Sequence, residues 1–594
     1  MRFILAIVAL ACAAAMIGVG IAQRTIWLAP AATAMSVRPE GDAPYIVLNP
    51  SALAAHPGSQ TITVTGPDDV FIAYARSADV AAWLGDTPYS SVTLPKGAQK
   101  LHAAVKQNDP ADVPAEAADA PVNPAGSDLW LEEFAGKRSL TATINVPTGI
   151  RVIIASNGEA PAPTEVTLSW PRDNSTPWAG PLILGGGILL AIGFALYIWG
   201  LIHLRRSHGP RRNLPRGPRM PKLPRLRSPK AREITSGGGR RSLTRSMTAM
   251  VPVLLVSGLA LSGCSADFWP KTGAGASVAT PTPALSDAPM TKDVPPPAVT
   301  VPQLERIVKK IATVTENADK KLDATAIATR FTGPALEQRL ANYKIRKAVS
   351  NYPAPAPLPG APLTLTLPQQ SSGWPRYVLT VIQDEEDTTV PPTALVLKQE
   401  TPRSMYMVEY DVQLEASAKV PDVAPATVGA PIVAPSQKLL MMQPDKLAAA
   451  YADILLKDTK SEFYDMFDEK GDSLRTQVGV AKKQEKKKSL PSTATIEFSA
   501  KPGGHETVAL GTNDSGALVA VNLKETEVVK PVEKGATVSP EGASKALSGV
   551  KATTKGIQST YGDELLFHVP AAGSNDKIVL LGFSQGLITS SEIK

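Results

Sequence analysis

A chain of 594 residues, 43% hydrophobic and 19% charged, has room for several domains. Its net charge of +7 invites a nucleic-acid partner, but 14 basic residues and one acid fall in residues 205–246. Elsewhere 47 Lys+Arg stand against 53 Asp+Glu, a balance of −6 that argues against such a partner. Two cysteines, Cys12 and Cys264, leave no material for a disulfide framework or a thiolate zinc cluster in the soluble parts.

Residues 1–24 form an apolar stretch behind Arg2, a signal peptide or a signal anchor; no good cleavage site precedes Gln23-Arg24, which favours the anchor. Cys12 lies inside this stretch and is expected to pack. Residues 35–170 alternate as half-buried strands do, for example Tyr45-Ile46-Val47-Leu48, Val70-Phe71-Ile72-Ala73-Tyr74 and Arg151-Val152-Ile153-Ile154-Ala155. Pro, Gly and Asp separate the strands, and the expectation is an exported β-sandwich. Asp79 to Leu84 fits a short helix, while the Ala/Pro/acidic run between Asp109 and Asp128 cannot build a core. His56 and His102 have no acid or nucleophile near them in sequence and are expected at the surface.

Pro181 to Leu204 carries no formal charge and is long enough for a hydrocarbon core of about 30 Å, so 181–204 is expected to be a transmembrane helix. Trp178, Tyr197 and Trp199 stand near its ends, where amphipathic rings favour the interface. The basic run 205–246 that follows is Pro-rich and lacks aromatic residues for stacking on bases. It is expected to be a cytoplasmic loop lying on anionic lipid. A second apolar segment, 247–264, ends in Leu261-Ser262-Gly263-Cys264. Two readings stay open, a third transmembrane helix or an internal lipoprotein signal, and both export everything after Cys264.

Residues 265–300 read as a Pro-rich tether. Two units with helices first and strands second follow, 301–436 and 437–594. In the first, Leu304, Val308 and Ile311 mark a helix face; Leu447, Tyr451 and Ile454 repeat it 143 positions later. The expected fold class is therefore multidomain: an N-terminal exported β-sandwich, transmembrane helices, and C-terminal exported tandem α+β domains, each of helices plus a curved antiparallel sheet.

No catalytic, metal-binding or cofactor-binding constellation emerges. Gly582-Phe583-Ser584-Gln585-Gly586 has the spacing of a nucleophile elbow, but only ten residues follow Ser584, with neither Asp nor His among them. Asp384-Glu385-Glu386-Asp387 lacks the βαβ context of a metal–nucleotide site and is expected to be a solvated hairpin loop. His505 and His568 lie near strand ends, where a core or surface role is expected. Lys482, Lys483, Lys486, Lys487 and Lys488 close a helix and complement its dipole; contact with anionic envelope polymer or lipid is the functional alternative.

Four resemblances add to this reading. Leu261-Ser262-Gly263-Cys264, behind Arg240, Arg241 and Arg245, resembles a bacterial lipobox. That implies cleavage before Cys264 and a thioether-linked diacylglycerol on its sulfur, although such signals normally begin a chain. Phe71-Ile72-Ala73, Ser77-Ala78-Asp79-Val80, Trp83-Leu84 and Ile153 to Gly158 resemble an exported domain of actinobacterial membrane proteins without established chemistry. Helices followed by a curved sheet resemble the cone of the nuclear transport factor 2 superfamily. Trp374-Pro375-Arg376, Gln399 to Arg403 and Ala449 to Asp453 resemble an actinobacterial lipoprotein-like family of unknown function, sometimes labelled glycosyltransferase. These resemblances leave enzyme and binding protein both open; the absence of a coherent triad, metal set or phosphate loop favours a non-enzymatic, membrane-anchored cell-envelope protein whose exported domains bind or scaffold an envelope component. Membrane lipid and an envelope protein or polymer are the expected partners. The alternative is an envelope glycan- or lipid-modifying enzyme.

Overall fold

The computed structural model describes residues 2–39, 41–107, 122–172, 174–207, 294–384, 390–416 and 418–594. Cys264, its lipobox-like motif, the basic run 208–246 and most of the acidic run after Asp384 lie outside the described residues. Two compact units result; the apolar helices over residues 2–25 and 179–207 belong to one, and residues 35–168 with the C-terminal region belong to the other.

In the first unit, α1 (Arg2–Thr25) and α4 (Ala179–Ser207) pack side by side in opposite directions. Both are long and apolar enough to cross a membrane. The seam is made by small residues that let the backbones approach. A Cβ on Gly186 would come within 2.6 Å of Ile17, on Gly193 within 2.9 Å of Leu10, and on Gly200 within 3.1 Å of Phe3. On α1, Gly20 takes the same role against Ile183. Phe3 also meets Tyr197 edge to face, 5.9 Å between ring centres.

In the second unit, residues 35–168 contribute most of an eight-stranded sheet. Its strands are β1 (Ala32–Val37), β2 (Tyr45–Leu48), β3 (Gln60–Arg76), β4 (Tyr89–Thr93), β5 (His102–Lys106), β6 (Glu132–Ile144), β7 (Ile150–Ala155) and β8 (Glu165–Pro171). The order is β1-β8-β3-β7-β2-β4-β5, with β6 also on β3. The strands thus form one continuous sheet, where the alternation suggested two stacked sheets. The reason is β3, whose 17 residues take β6, β7 and β8 as partners and carry the ladder from one group of strands to the other. Two helices interrupt the strands, α2 (Pro50–Leu53) and α3 (Ser77–Leu84). Trp83 on α3 joins Tyr45, Trp130, Phe71 and Ile153 in the core.

The C-terminal region repeats one element order twice. First come α5 (Val301–Lys321), α6 (Ala324–Ile327) and α7 (Gly333–Ala348), then β9 (Leu363–Pro368), β10 (Arg376–Ile382), β11 (Thr393–Gln399) and β12 (Met407–Leu414). Next come α8 (Pro444–Lys457), α9 (Ser473–Val478) and α10 (Val480–Ser489), then β13 (Ala494–Pro502), β14 (Val508–Gly511), β15 (Ala517–Pro531), α11 (Gly542–Ser548), β16 (Ile557–Val569) and β17 (Val579–Glu592). Leu304, Val308 and Ile311 are fully buried on α5, and Leu447, Tyr451 and Ile454 occupy the matching face of α8.

The two sets of strands are one sheet, ordered β13-β15-β16-β17-β12-β11-β10-β9, with β14 on β15. They join where Gln413 and Leu414 of β12 pair with Phe583 and Gly582 of β17. The sheet curls, so that Tyr377, Leu379 and Val396 of the first set pack against Leu510, Leu518 and Leu566 of the second. One core is therefore shared between the halves, while α5 and α8 each cover an outer face.

Candidate functional site at the interface of two domains

The most densely built feature of the second unit is the seam between residues 35–168 and the C-terminal region. Its chemistry is one-sided: the C-terminal region supplies donors and the N-terminal domain supplies acceptors. The α5 N-terminus opens it. Thr300 and Gln303 form a capping box that satisfies the first turn. The Gln303 amide nitrogen also donates to the carbonyls of Asp128 (2.7 Å) and Leu129 (3.1 Å). One and two turns further along, Arg306 donates to the Trp130 and Leu131 carbonyls (2.9 and 2.5 Å), and Lys310 to Gly126 (3.3 Å).

At the centre, the Asp128 carboxylate is buried and accepts three bonds. Arg330 Nη1 and Nη2 grip it from the turn after α6, and the Tyr406 N–H reaches Oδ2 at 2.9 Å. Beside it, Asp79 of α3 takes Arg376 Nη2 at 2.6 Å. Arg376 begins β10, is 2% exposed, and lies flat on Trp374, 3.8 Å from the ring centre. Arg403 donates to the carbonyls of Trp83 (2.8 Å) and Leu84 (3.1 Å), which end α3, and to Thr87 Oγ1 (3.2 Å). Arg76 Nη1 donates the other way, to the Pro297 carbonyl at 2.7 Å. Burial pulls the Arg76 guanidinium below the usual arginine range.

This geometry gives the motif residues a common purpose. Arg376 of Trp374-Pro375-Arg376 and Arg403 of Gln399 to Arg403 meet Asp79 and the Trp83-Leu84 carbonyls of the N-terminal domain. Asp128, Gln303 and Arg330 carry as much of the seam and were not singled out in the sequence. A faint signal existed in Thr300-x-x-Gln303 before an apolar-periodic run.

Other candidate residues are scattered. Ser584 lies within β17 opposite Glu564, on a straight ladder and not on a strand-to-helix turn. Gly582 is required by the β12 junction, since a Cβ there would sit 2.3 Å from the Gln413 carbonyl oxygen. The acidic run after Asp384 joins β10 to β11, which are antiparallel neighbours. His505 Nε2 lies 3.0 Å from Glu337 Oε1, and His568 Nε2 lies 3.0 Å from Asp514 Oδ2. His102 is exposed on β5. Among the described residues no group of His, Cys, Asp and Glu could hold a metal ion.

The lysine helix does more than complement a dipole. Lys483 turns inward from α10 to Glu525 on β15, and Lys486 pairs with Glu527 two residues on. Asp563, opposite Leu523 on the same sheet face, is fully buried, and neither oxygen has a hydrogen bond of good geometry. Burial, with Glu525 adding to it, pushes this carboxyl up to about 8. A separate cavity of about 430 Å³ lies between α7, α11, the middle of β15 and the C-terminal part of β17, lined by Leu340, Leu547, Ile588, Lys344, Lys524 and Glu337.

A family described as a domain of unknown function (DUF8094) matches residues 295–592, half of the chain. The chain belongs to that family. The match begins at the Pro295-Pro296-Pro297 run and ends in β17, so the DUF8094 domain holds both repeats and the seam donors Gln303, Arg306, Lys310, Arg330, Arg376 and Arg403. No curated protein and no solved structure matches the chain.

Proposed function

We propose that the chain is a non-enzymatic, membrane-anchored cell-envelope protein whose extracytoplasmic body binds or scaffolds an envelope component. The observation that carries this reading is the seam. Residues 35–168 lie between two membrane-length helices, and the DUF8094 domain is fastened to them by buried Arg–Asp pairs. Domains so joined occupy the same side of a membrane. The chain leaves that side through α4 and must return before residue 294, and 247–263 is the remaining apolar stretch able to take it back. The packing of α1 on α4 supports an uncleaved anchor. An actinobacterial envelope is the setting that the motif resemblances imply, and the repeated helices-then-strands order supports a nuclear-transport-factor-2-like ancestry for each half.

The test is photocrosslinking in intact cells from the cavity lining, with a photoreactive residue at Lys344. A discrete adduct with one envelope protein or polymer is expected. Recovery of the uncrosslinked chain alone, from this position and from others over the DUF8094 surface, would remove the basis for the proposal. The enzyme alternative rests on the raised carboxyl of Asp563. Its complete burial keeps any substrate atom from it, which favours the binding reading.

A further inference from the structure

We infer that the seam between residues 35–168 and the DUF8094 domain is self-sufficient: it holds the two domains together without the chain that links them, as an interface between separate subunits would. Three observations carry this. First, the acceptors are mainly main-chain carbonyls, of Gly126, Asp128, Leu129, Trp130, Leu131, Trp83 and Leu84, presented in two short segments. Such acceptors need a preformed domain, and residues 35–168 have a core of their own around Trp83, Trp130 and Tyr45. Second, the donors are Arg, Lys and Gln side chains on a domain that also has its own cores. Arg and buried aromatics at the centre of a patch are what tight protein–protein interfaces use. Third, residues 208–293 separate the two partners in the chain, and they contain the internal signal-like segment ending at Cys264. A chain cut there would consist of a membrane piece bearing residues 35–168 and a second piece bearing the DUF8094 domain. The partner of the second piece is the first.

The inference is independent of whether the chain is cut in cells and of what the assembled body binds. A recognition site for a specific protease is inserted between residues 276 and 290 of the full-length chain, C-terminal to Cys264, and open membrane fragments are treated with the protease. The released C-terminal piece then has neither α1, α4 nor the 247–264 segment, and the seam is the contact proposed to keep it on the membrane. It is expected to sediment with the membranes. The same chain carrying Arg306→Ala and Arg403→Ala, two donors at the seam's edges that support neither C-terminal core, is expected to lose at least ten times more of the cut piece to the supernatant. Circular dichroism of that released piece checks that it remains folded. Loss of the wild-type piece on cutting overturns the inference. Retention of both wild type and variant overturns it as well, because the piece would then be held by some other surface.

Discussion

Asp128 and Arg330, 202 positions apart, form a buried ion pair at the centre of the seam. Removing one partner leaves the other charged and out of water, which costs about 3–5 kcal/mol, whereas replacing both with apolar residues costs much less. We expect Asp128→Ala to lower the denaturation midpoint strongly and Asp128→Leu with Arg330→Met to recover most of the loss. Tryptophan fluorescence will report it, since Trp83 and Trp130 are buried against each other in the core of residues 35–168. A loss below about 1 kcal/mol in the single variant, as for an exposed pair, would contradict this burial.

Gly582 and Ser584 separate a structural motif from a catalytic one. A Cβ at Gly582 would lie 2.3 Å from the Gln413 carbonyl oxygen and 2.7 Å from the Leu414 Cα, at the two residue pairs that join the halves of the sheet. Gly582→Ala should therefore destabilise the DUF8094 domain by about 1–3 kcal/mol, in the range of other overpacked sites. Ser584→Ala should change stability by less than about 0.5 kcal/mol and leave cellular function intact. Loss of function in a stable Ser584→Ala chain would reinstate the nucleophile.

Periodicity made the repeated helices legible: Leu304, Val308 and Ile311, with their counterparts on α8, are buried as the spacing demands. It failed for the strands' polar ends. The apolar pattern of Ala517 to Val521 is broken by Lys524, Glu525 and Glu527, yet β15 continues to Pro531. Glu525 and Glu527 are held there by Lys483 and Lys486, a tertiary contact that no local window contains. The seam was hidden for the same reason. Arg376 before an apolar strand and Asp79 in a short helix are each ordinary, and their pairing spans 297 positions.

Topology can be tested with single cysteines and an impermeant thiol reagent on intact cells. Exposed Gln99 and Lys534 serve for the outer side and Ser228 for the basic loop. In a Cys12→Ser, Cys264→Ser background, Gln99→Cys and Lys534→Cys should label and Ser228→Cys should not until the cells are opened. Labelling of Ser228→Cys alone would invert the orientation. Labelling of Gln99→Cys without Lys534→Cys would place the two domains on opposite sides, which the seam forbids.

Processing at Cys264 divides the lipoprotein reading from the third-helix reading. A thioether lipid needs the Cys264 thiol, while a helix tolerates serine. If the signal is used, a C-terminally tagged chain should migrate as the piece beginning at Cys264 and incorporate fatty acid, whose burial contributes about 0.8 kcal/mol per CH₂ to anchoring. Cys264→Ser should restore full length. Full-length protein in both chains, with no label, would assign 247–263 to a membrane helix alone.

The last expectation concerns pH. Asp563 in the folded domain ionises near 8 because burial, with Glu525 adding to it, disfavours its charge; Gln585, opposite it on β17, offsets this only in part. Burial raises Glu525 as well, and Lys483 relieves it in part. An unfolded aspartate ionises near its ordinary value of 3.8. Between about pH 4 and 8, then, the unfolded chain releases a proton that the folded domain keeps, and stability falls as pH rises. Below this window both states are protonated and above it both are charged, so the effect of Asp563 is absent at the acid end and constant at the alkaline end. Each tenfold step in proton affinity corresponds to about 1.4 kcal/mol. Asp563→Asn keeps the shape without the ionisation. Compared with wild type in urea melts, it should be neutral near pH 4, gain steadily through pH 6, and reach its full advantage of several kcal/mol by about pH 8. A difference that does not vary with pH would mean that Asp563 carries the same charge in both states and that its burial does not set its ionisation.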